Sequence, residues 1–352
     1  MAASAITPVT VLTGFLGSGK TTLLNALVAD ARFADTAIVV NELGDAPIDH
    51  ALLRQASGDV VTLPGGCICC RAAGDIVRAL RDLHHQRATG AVPGFNRVVI
   101  ETTGLADPAP LLATLVELPV TAARYSLSGV VTTVDARHGM ASLDAHPESV
   151  KQAAVADRIV VTKVDLVPDG SLAALEKRLA QLAPGARILR AAHGALDGAL
   201  LFDAGLARPS GVPDARGWLN DGAYASHAAQ ARHDPRISSF VWRRGEPLAW
   251  DDLESALETL RDVMGERILR MKGLVSVEGE SGPRAVHAVQ HALYPPARLA
   301  QWPDADRSTR LVFIGRDLEE AAVARILDSF TRDSRTHPEQ AEWQPPRTPR
   351  KT

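Results

Sequence analysis

A glycine-rich segment near the N-terminus carries the first residues that could do chemistry. Residues 14–21, GFLGSGKT, fit the pattern G-x-x-x-x-G-K-[ST], between the apolar run VTVLTG and the helical run TTLLNALVAD. In such a loop glycines let backbone N–H groups surround phosphates, the lysine reaches the terminal phosphates and the hydroxyl ligates Mg²⁺. The alternative is an incidental turn, but the flanking strand and helix favour a nucleotide site formed by Gly14, Gly17, Ser18, Gly19, Lys20, Thr21 and Thr22.

A second segment bears on which nucleotide would bind. Thr162-Lys163-Val164-Asp165 ends the apolar run RIVVTKVD. The Asp165 carboxylate can accept hydrogen bonds from the N1 and N2 donors of guanine, which adenine lacks, and Lys163 can lay its aliphatic stem along the base. This guanine motif usually begins with Asn, so Thr162 predicts weaker local support for the loop. The pattern favours guanine over a plain surface turn.

A carboxylate follows another predicted strand. Glu101-Thr102-Thr103-Gly104 comes directly after the run RVVI. Glu101 can hold Mg²⁺ through a water or orient an attacking water, and Gly104 can bring a backbone N–H close to a γ-phosphate. Downstream of a phosphate-binding loop, this segment predicts the magnesium and γ-phosphate side of the same site.

All three cysteines of the chain lie within four residues, at Cys67, Cys69 and Cys70. None has a distant partner, so the chain has no disulfide framework and a reducing compartment is expected. Thiolates suit Zn²⁺ and similar soft ions, and Glu42 is a candidate fourth ligand for a tetrahedral site. The alternatives are buried cysteines that act as small hydrophobes and a redox-sensitive thiol patch.

Composition narrows the class of protein. The chain has 352 residues, 46% hydrophobic and 22% charged, with a formal net charge of −3. That balance gives no reason to expect binding to nucleic acid or to an anionic membrane. No apolar run reaches the ~18 residues of a membrane span, and the N-terminus lacks the pattern of a signal peptide. A cytoplasmic protein is therefore expected.

Alternating strand-like and helical runs from residue 9 to about 205 predict an α/β domain with a mainly parallel sheet. We expect a nucleotide-binding domain over 1–206, a Gly- and Pro-rich linker over 207–235, a smaller α+β domain over 236–330 and a disordered tail over 331–352. The segment 84–96, HHQRATGAVPGFN, is predicted to be a loop insertion. His287 and His291, four residues apart, are predicted to lie on one face of a strand or helix as ordinary partly exposed histidines. His193 is expected to lie near the nucleotide base.

In order and spacing, GFLGSGKTTLLN, NELGDAPIDH, GGCICC, ETTGLADP and TKVD resemble the CobW-like GTPases. These are relatives of the nickel-insertion GTPases UreG and HypB, and they include nitrile hydratase activators and zinc chaperones. RISSFVWRRGEPL and the run from Tyr294-Pro295-Pro296 to Trp302 are similar to the C-terminal domain of that family. The resemblance implies a P-loop NTPase fold for the first domain.

The resemblance also implies a slow GTP-hydrolysing metallochaperone that carries zinc or cobalt to a client metalloprotein. Cys67, Cys69 and Cys70 match the family's metal-binding cysteines, and Glu42 and Asp49 fall in the first switch. Lys20, Glu101 and Glu42 are the expected catalytic residues, Thr21 and Glu101 the expected magnesium ligands, and Gly104, Thr162, Lys163 and Asp165 complete the expected GTP site. A thiol-regulated GTPase switch without metal cargo is the alternative, and a P-loop kinase or ATPase is a third reading that Asp165 disfavours.

The position of the cysteines indicates how metal and nucleotide would be coupled. The segment GGCICC follows a predicted strand, where a second switch would sense the γ-phosphate. If GTP and metal favour the same arrangement, each strengthens binding of the other, typically by about 1–3 kcal/mol. Hydrolysis would then release the ion.

Overall fold

Two β-sheets organise the chain in the computed structural model, which describes residues 6–41, 60–63, 72–117, 123–202, 214–228 and 237–331. The first sheet has seven strands in the order β3-β2-β4-β1-β5-β6-β7. All of its described pairs are parallel. In chain order the strands are Thr7–Gly14 (β1), Thr36–Asn41 (β2), Val60–Leu63 (β3), Arg97–Glu101 (β4), Tyr125–Asp135 (β5), Arg158–Thr162 (β6) and Arg187–Ala191 (β7).

Helices cover both faces of this sheet, which is why its strands are nearly continuous apolar runs. Core clusters lie on the two sides, one around Leu80, Ile100 and Leu112 and another around Leu24 and Val160. The helices are Lys20–Val28 (α1), Ala72–Thr89 (α2), Ala109–Glu117 (α3), Gly139–Ala145 (α4), Pro147–Ala154 (α5), Asp169–Leu182 (α6) and Ala199–Phe202 (α7), with 3₁₀ turns at Ala31–Phe33 and Val164–Leu166. The predicted α/β fold is confirmed.

Strand order decides where the site forms. The central strand β1 lies between β4 and β5, and β6 follows β5. In a parallel sheet the carboxyl ends of neighbouring strands meet at one edge, where ligands bind. That edge therefore brings together the glycine-rich loop after β1, the segment that begins with Glu101 and the segment that begins with Thr162.

The second sheet is antiparallel, in the order β11-β10-β9-β13-β8, with β12 paired to β10. Its large side chains pack under two helices, in a cluster that includes Phe313, Leu253 and Leu327. This confirms the smaller α+β domain. Its elements are Ile237–Arg244 (β8), Trp250–Met264 (α10), Ile268–Val275 (β9), Arg284–Val289 (β10), Ala292–Leu293 (β11), Ala297–Arg298 (β12), Thr309–Arg316 (β13) and Glu320–Thr331 (α11).

Two local predictions differ from the structure. Part of the predicted linker forms the short helices Ala215–Leu219 (α8) and Asp221–Ala228 (α9). Trp218 and Tyr224 anchor them, because both side chains are buried in a cluster with Leu269 and Leu274. The predicted loop insertion is also wrong over residues 84–89, where α2 continues because the segment has no helix breaker before Gly90.

A buried cluster of charges joins the two sheets. Asp157, just before β6, accepts hydrogen bonds at 2.6 Å from both Arg270 and Lys272 of β9. The three side chains are 3–6% exposed. Burial raises the pKa of Asp157, but the two cations and the Val130 N–H outweigh it and hold the pKa well below the ordinary value. The cluster thus fixes the second sheet to the strand that carries the predicted guanine segment.

The hairpin formed by β10 and β11 makes a second interdomain contact. Val289, Ala292 and Tyr294 pack into the apolar cluster under α3. Gln290 Nε2, in the hairpin turn, lies 3.4 Å from Asp107 Oδ2 in the loop after β4. No helix in the described ranges is both long and apolar enough to cross a membrane.

Candidate functional site

The glycine-rich loop turns sharply because its glycines adopt conformations that other residues avoid. Gly17 and Gly19 have φ angles of 70° and 89°, in the left-handed region that favours glycine. A Cβ on Gly14 would overlap the Thr133 hydroxyl of β5. Gly19 caps the N-terminus of α1, so the backbone N–H groups at that end and the helix dipole favour an anion.

Lys20 and Ser18 are held against the neighbouring backbone. Lys20 is almost buried, at 8% exposure. It donates to the Gly14 carbonyl at 2.8 Å and to the Phe15 carbonyl at 3.2 Å. The Ser18 and Thr133 hydroxyls are 2.7 Å apart. The lysine is therefore held against the glycine-rich loop.

Two oxygen-bearing side chains meet where the end of β4 approaches the start of α1. The Thr21 hydroxyl donates to Glu101 Oε1 at 3.1 Å, and the Glu101 side chain is 4% exposed. A hydroxyl and a carboxylate are hard oxygen ligands of the kind that Mg²⁺ takes together with phosphate oxygens. The donor set present thus fits magnesium.

Gly104 lies directly against the glycine-rich loop. A Cβ at this position would be 2.7 Å from the Leu16 nitrogen, so only glycine allows this approach. Just before it, the Thr102 hydroxyl donates to the Thr13 hydroxyl at 2.8 Å, which ties the end of β4 to β1. The structure therefore brings the ETTG segment and the loop into contact.

The segment TKVD reaches the same loop from the other side. The Thr162 hydroxyl donates to the Ser18 carbonyl at 2.7 Å and to the Val134 carbonyl at 3.3 Å. Thr162 thus bonds both the loop and β5, and the expectation that it supports the loop less well than Asn stays a prediction. Lys163, in the left-handed conformation at φ 56°, donates to the Gly17 carbonyl at 2.8 Å. Asp165 lies 3.5 Å from Nε2 of His193, whose side chain is 83% exposed.

Asp135, at the end of β5, lies beside Lys163 in the candidate site and was not predicted from the sequence. It accepts from Lys163 Nζ at 2.7 Å and lies 3.1 Å from His138 Nδ1. Burial raises the pKa of Asp135, but the bonds from Lys163, His138 and two backbone N–H groups outweigh it and lower the pKa. The signal available was its position: TTVD ends a strand next to β1, as TKVD ends the following one.

The predicted transition-metal ligands Cys67, Cys69, Cys70 and Glu42 lie outside the described residues, as does Asp49. Within the described ranges, no group of three or more His, Cys, Asp or Glu side chains could hold a metal ion. His287 is in β10 and His291 in the turn that follows, so the prediction that they share one face is wrong. His287 instead stacks on Tyr294, with a ring-centroid distance of 3.8 Å.

Comparison with known proteins identifies the family. Residues 8–190 match the CobW/HypB/UreG nucleotide-binding domain, and residues 237–331 match the cobalamin synthesis protein cobW C-terminal domain. The chain belongs to the CobW family. It is 33% identical to zinc chaperone YjiA of Escherichia coli (strain K12) over 315 residues, which cover 90% of this chain and 96% of that protein. The resemblance found in the motifs is thereby confirmed.

Other members of the CobW family extend the comparison over nearly the whole chain. Zinc chaperone CobW of Pseudomonas aeruginosa is 30% identical over 358 residues, which cover 91% of this chain and 90% of that protein. The fold is similar to the crystal structure of Zn(II)-bound YjiA GTPase from E. coli, with a TM-score of 0.67 and 26% identity. That match covers 93% of this chain and 99% of the YjiA chain.

Proposed function

We propose that this CobW-family chain is a GTPase that binds a transition metal, zinc before cobalt, and delivers it to a client metalloprotein. The observation that carries the proposal is the meeting of three segments at one sheet edge. The glycine-rich loop is contacted by Gly104 on one side and by Thr162 and Lys163 on the other. The relatives named zinc chaperones and GTPases support this reading.

In the proposed site, the described residues take separate parts of GTP. Lys20 and the backbone of residues 17–22 bind the phosphates, and Gly104 approaches the γ-phosphate with its N–H. Asp165 accepts the guanine donors, and Lys163 lies along the base. Thr21 and Glu101 would hold Mg²⁺, which neutralises charge on the β- and γ-phosphates when bound.

The cargo site is proposed from the chemistry of its ligands. Cys67, Cys69 and Cys70 supply three thiolates, and Glu42 completes a tetrahedral set. Thiolates favour Zn²⁺, and the Irving–Williams order makes zinc a stronger competitor than cobalt for such a site. Relatives named zinc chaperones favour a metal cargo over the thiol-regulated switch without one.

The two sites are proposed to communicate. Glu42 belongs to the first switch and the cysteines follow β3, whose strand neighbours β2 in the sheet. GTP and metal would then stabilise one arrangement, with a coupling of about 1–3 kcal/mol. Hydrolysis removes the γ-phosphate that holds the switches, and the metal leaves for the client.

A metal competition titration tests the proposal. The reduced protein is titrated with Zn²⁺ and Co²⁺ in Mg²⁺ with either GDP or a non-hydrolysable GTP analogue. We expect 1:1 binding that is about 5- to 150-fold tighter with the analogue, stronger for Zn²⁺ and lost in Cys69→Ser. Equal metal affinity with GDP and with the GTP analogue would refute the carrier mechanism. Unchanged metal affinity in Cys69→Ser would refute the thiolate site.

A further inference from the structure

Gln152, on α5, contacts the loop after β4. Its side chain is fully buried. The Nε2 group donates to the Ala106 carbonyl at 2.9 Å and to the Gly104 carbonyl at 3.2 Å. Both partners are acceptors, so the nitrogen of the amide must face the loop. One side chain thereby fixes two peptide groups, on either side of Leu105.

The same amide has a cost for stability. Gln152 Oε1 is buried and has no hydrogen-bond partner among the described residues. A buried acceptor left without a partner is destabilising. An apolar side chain of similar size would leave the Gly104 and Ala106 carbonyls without this donor, so the amide serves to hold the loop.

Lys151, the preceding residue, holds the other end of the same loop. Its ammonium group donates to Asp107 Oδ2 at 2.7 Å. Asp107 Oδ1 accepts from the Ala109 N–H at 3.0 Å, at the start of α3. Helix α5, which carries Lys151 and Gln152, is in turn tied to β5, because the Thr132 hydroxyl donates to the Gln152 carbonyl at 2.7 Å. Lys151 and Gln152, which are consecutive in α5, thus hold residues 104–107 against a helix that is itself bonded to β5.

The loop geometry gives the direction of the Gly104 N–H. The Thr103 carbonyl accepts from the Ala106 N–H at 3.2 Å, so it points into the turn. In a planar trans peptide the N–H of the next residue points the opposite way, and the Gly104 N–H is therefore directed out of the turn. Gly104 is also the residue that lies against Leu16 of the glycine-rich loop.

We propose that Gln152 is a positioning residue that orients the Gly104 N–H toward the terminal phosphate of GTP. The inference rests on the proposed GTPase function. Gln152 does not touch the nucleotide; it acts through the Gly104 and Ala106 carbonyls, with Lys151 as a second support. GDP lacks the terminal phosphate, so Gln152 contributes to binding and hydrolysis of GTP but not to binding of GDP.

The test replaces Gln152 by a side chain of similar length without donors. For Gln152→Met in Mg²⁺, the Kd of a non-hydrolysable GTP analogue and of GDP, single-turnover GTP hydrolysis and urea unfolding are measured. We expect analogue affinity to fall about 10- to 100-fold, as for a lost hydrogen bond to a charged group. GDP affinity should stay unchanged, and the unfolding midpoint should fall modestly, because the Gly104 and Ala106 carbonyls lose a donor. Hydrolysis should slow at saturating GTP.

Two further variants sharpen the result. Lys151→Met should lower the affinity for the GTP analogue in the same way but by a smaller factor. If Gln152→Met does not fold, the proposal is tested with Lys151→Met instead. Gln181→Met, on α6 and away from the loop, is the matched control and should leave the affinity for both nucleotides unchanged. Unchanged analogue affinity in Gln152→Met, or an equal loss for analogue and GDP, would overturn the positioning role. A wild-type protein that binds neither nucleotide would contradict the proposed GTPase function itself.

Discussion

Lys20 and Lys272 are both almost fully buried, at 8% and 4% exposure, but their surroundings differ. Lys20, in the glycine-rich loop, donates to the Gly14 and Phe15 carbonyls. Lys272, between the two domains, donates to the Asp157 carboxylate at 2.6 Å. Backbone carbonyls orient the Lys20 ammonium group, whereas Lys272 lies against the full opposite charge of Asp157.

Lys20 fits a role in ligand binding, whereas Lys272 fits a role in the structure. A buried ammonium group beside backbone N–H groups attracts an anion, which fits the proposed phosphate site. A buried ammonium group beside a carboxylate is costly to desolvate but very costly to leave unpaired. Substitutions in the first region should therefore change ligand affinity, and substitutions in the second should change the free energy of unfolding.

The largest effect is expected at Asp157. Asp157→Asn leaves Arg270 and Lys272 buried without their carboxylate, so the free energy of unfolding should fall by about 3–5 kcal/mol in urea denaturation at pH 7. Asp144→Asn is the matched control: Asp144 pairs with Arg178 but its side chain is 66% exposed, so a loss of at most about 1 kcal/mol is expected. Equal losses in the two variants would show that burial does not set the strength of the interdomain cluster.

A triple variant separates the charge effect from packing. In Asp157→Leu, Arg270→Met and Lys272→Met together, no buried charge is left unpaired. Apolar replacement of a buried ionic cluster is often neutral or stabilising, so this variant should recover most of the stability that Asp157→Asn loses. If the triple variant does not recover this stability, the loss in Asp157→Asn comes from altered packing rather than from unpaired charge.

The next effect is expected in ligand binding. Lys20→Ala removes the cation from the proposed phosphate loop, so affinity for both GTP and GDP should fall about 10²- to 10³-fold, comparable to the loss of one preorganised donor in an active site. The midpoint of urea unfolding should change little. Lys177→Ala, an exposed lysine on α6, is the control and should change neither quantity. A large loss of stability with unchanged nucleotide affinity would reverse the distinction drawn between Lys20 and Lys272.

Sequence and structure agree most where local pattern decides the outcome. The seven strands of the first sheet follow from apolar runs such as RVVI, and the loop at Lys20 follows from glycine spacing. The hydrogen bond from the Thr162 hydroxyl to the Ser18 carbonyl, 144 residues away in the chain, was not predicted. Such a contact depends on strand order, which local pattern does not encode.

The missed residues share that dependence on distant partners. Asp157 is one carboxylate before a strand in the sequence, and only the docking of β9 reveals why it is buried. Gln152 likewise gains its role from carbonyls more than 40 residues earlier, at Gly104 and Ala106. Asp135 becomes a site residue because Lys163 reaches it from the adjacent strand.

The smallest effect concerns pH and belongs to the interdomain region. Burial, together with the neighbouring Arg270 and Lys272 and against Asp157, lowers the pKa of His287 below its ordinary value. The unfolded chain therefore binds more protons than the folded one below about pH 6.5, and stability should fall as the pH decreases from 7 to 5. His287→Phe keeps a ring to stack on Tyr294 and removes the titrating group. The decrease in its free energy of unfolding between pH 7 and pH 5 should therefore be smaller than in the wild type by roughly 1–2 kcal/mol.

Urea unfolding of the wild type and of His287→Phe at pH 5, 6 and 7 measures this difference. Some dependence on pH should remain in the variant, because burial also lowers the pKa of His84. His85→Phe, an exposed position on α2, is the control and should keep the wild-type slope. Identical slopes in wild type and His287→Phe would mean that the histidine is protonated in the folded protein despite Arg270 and Lys272. The interdomain cluster would then tolerate a further positive charge, and Asp157 alone could not account for its stability.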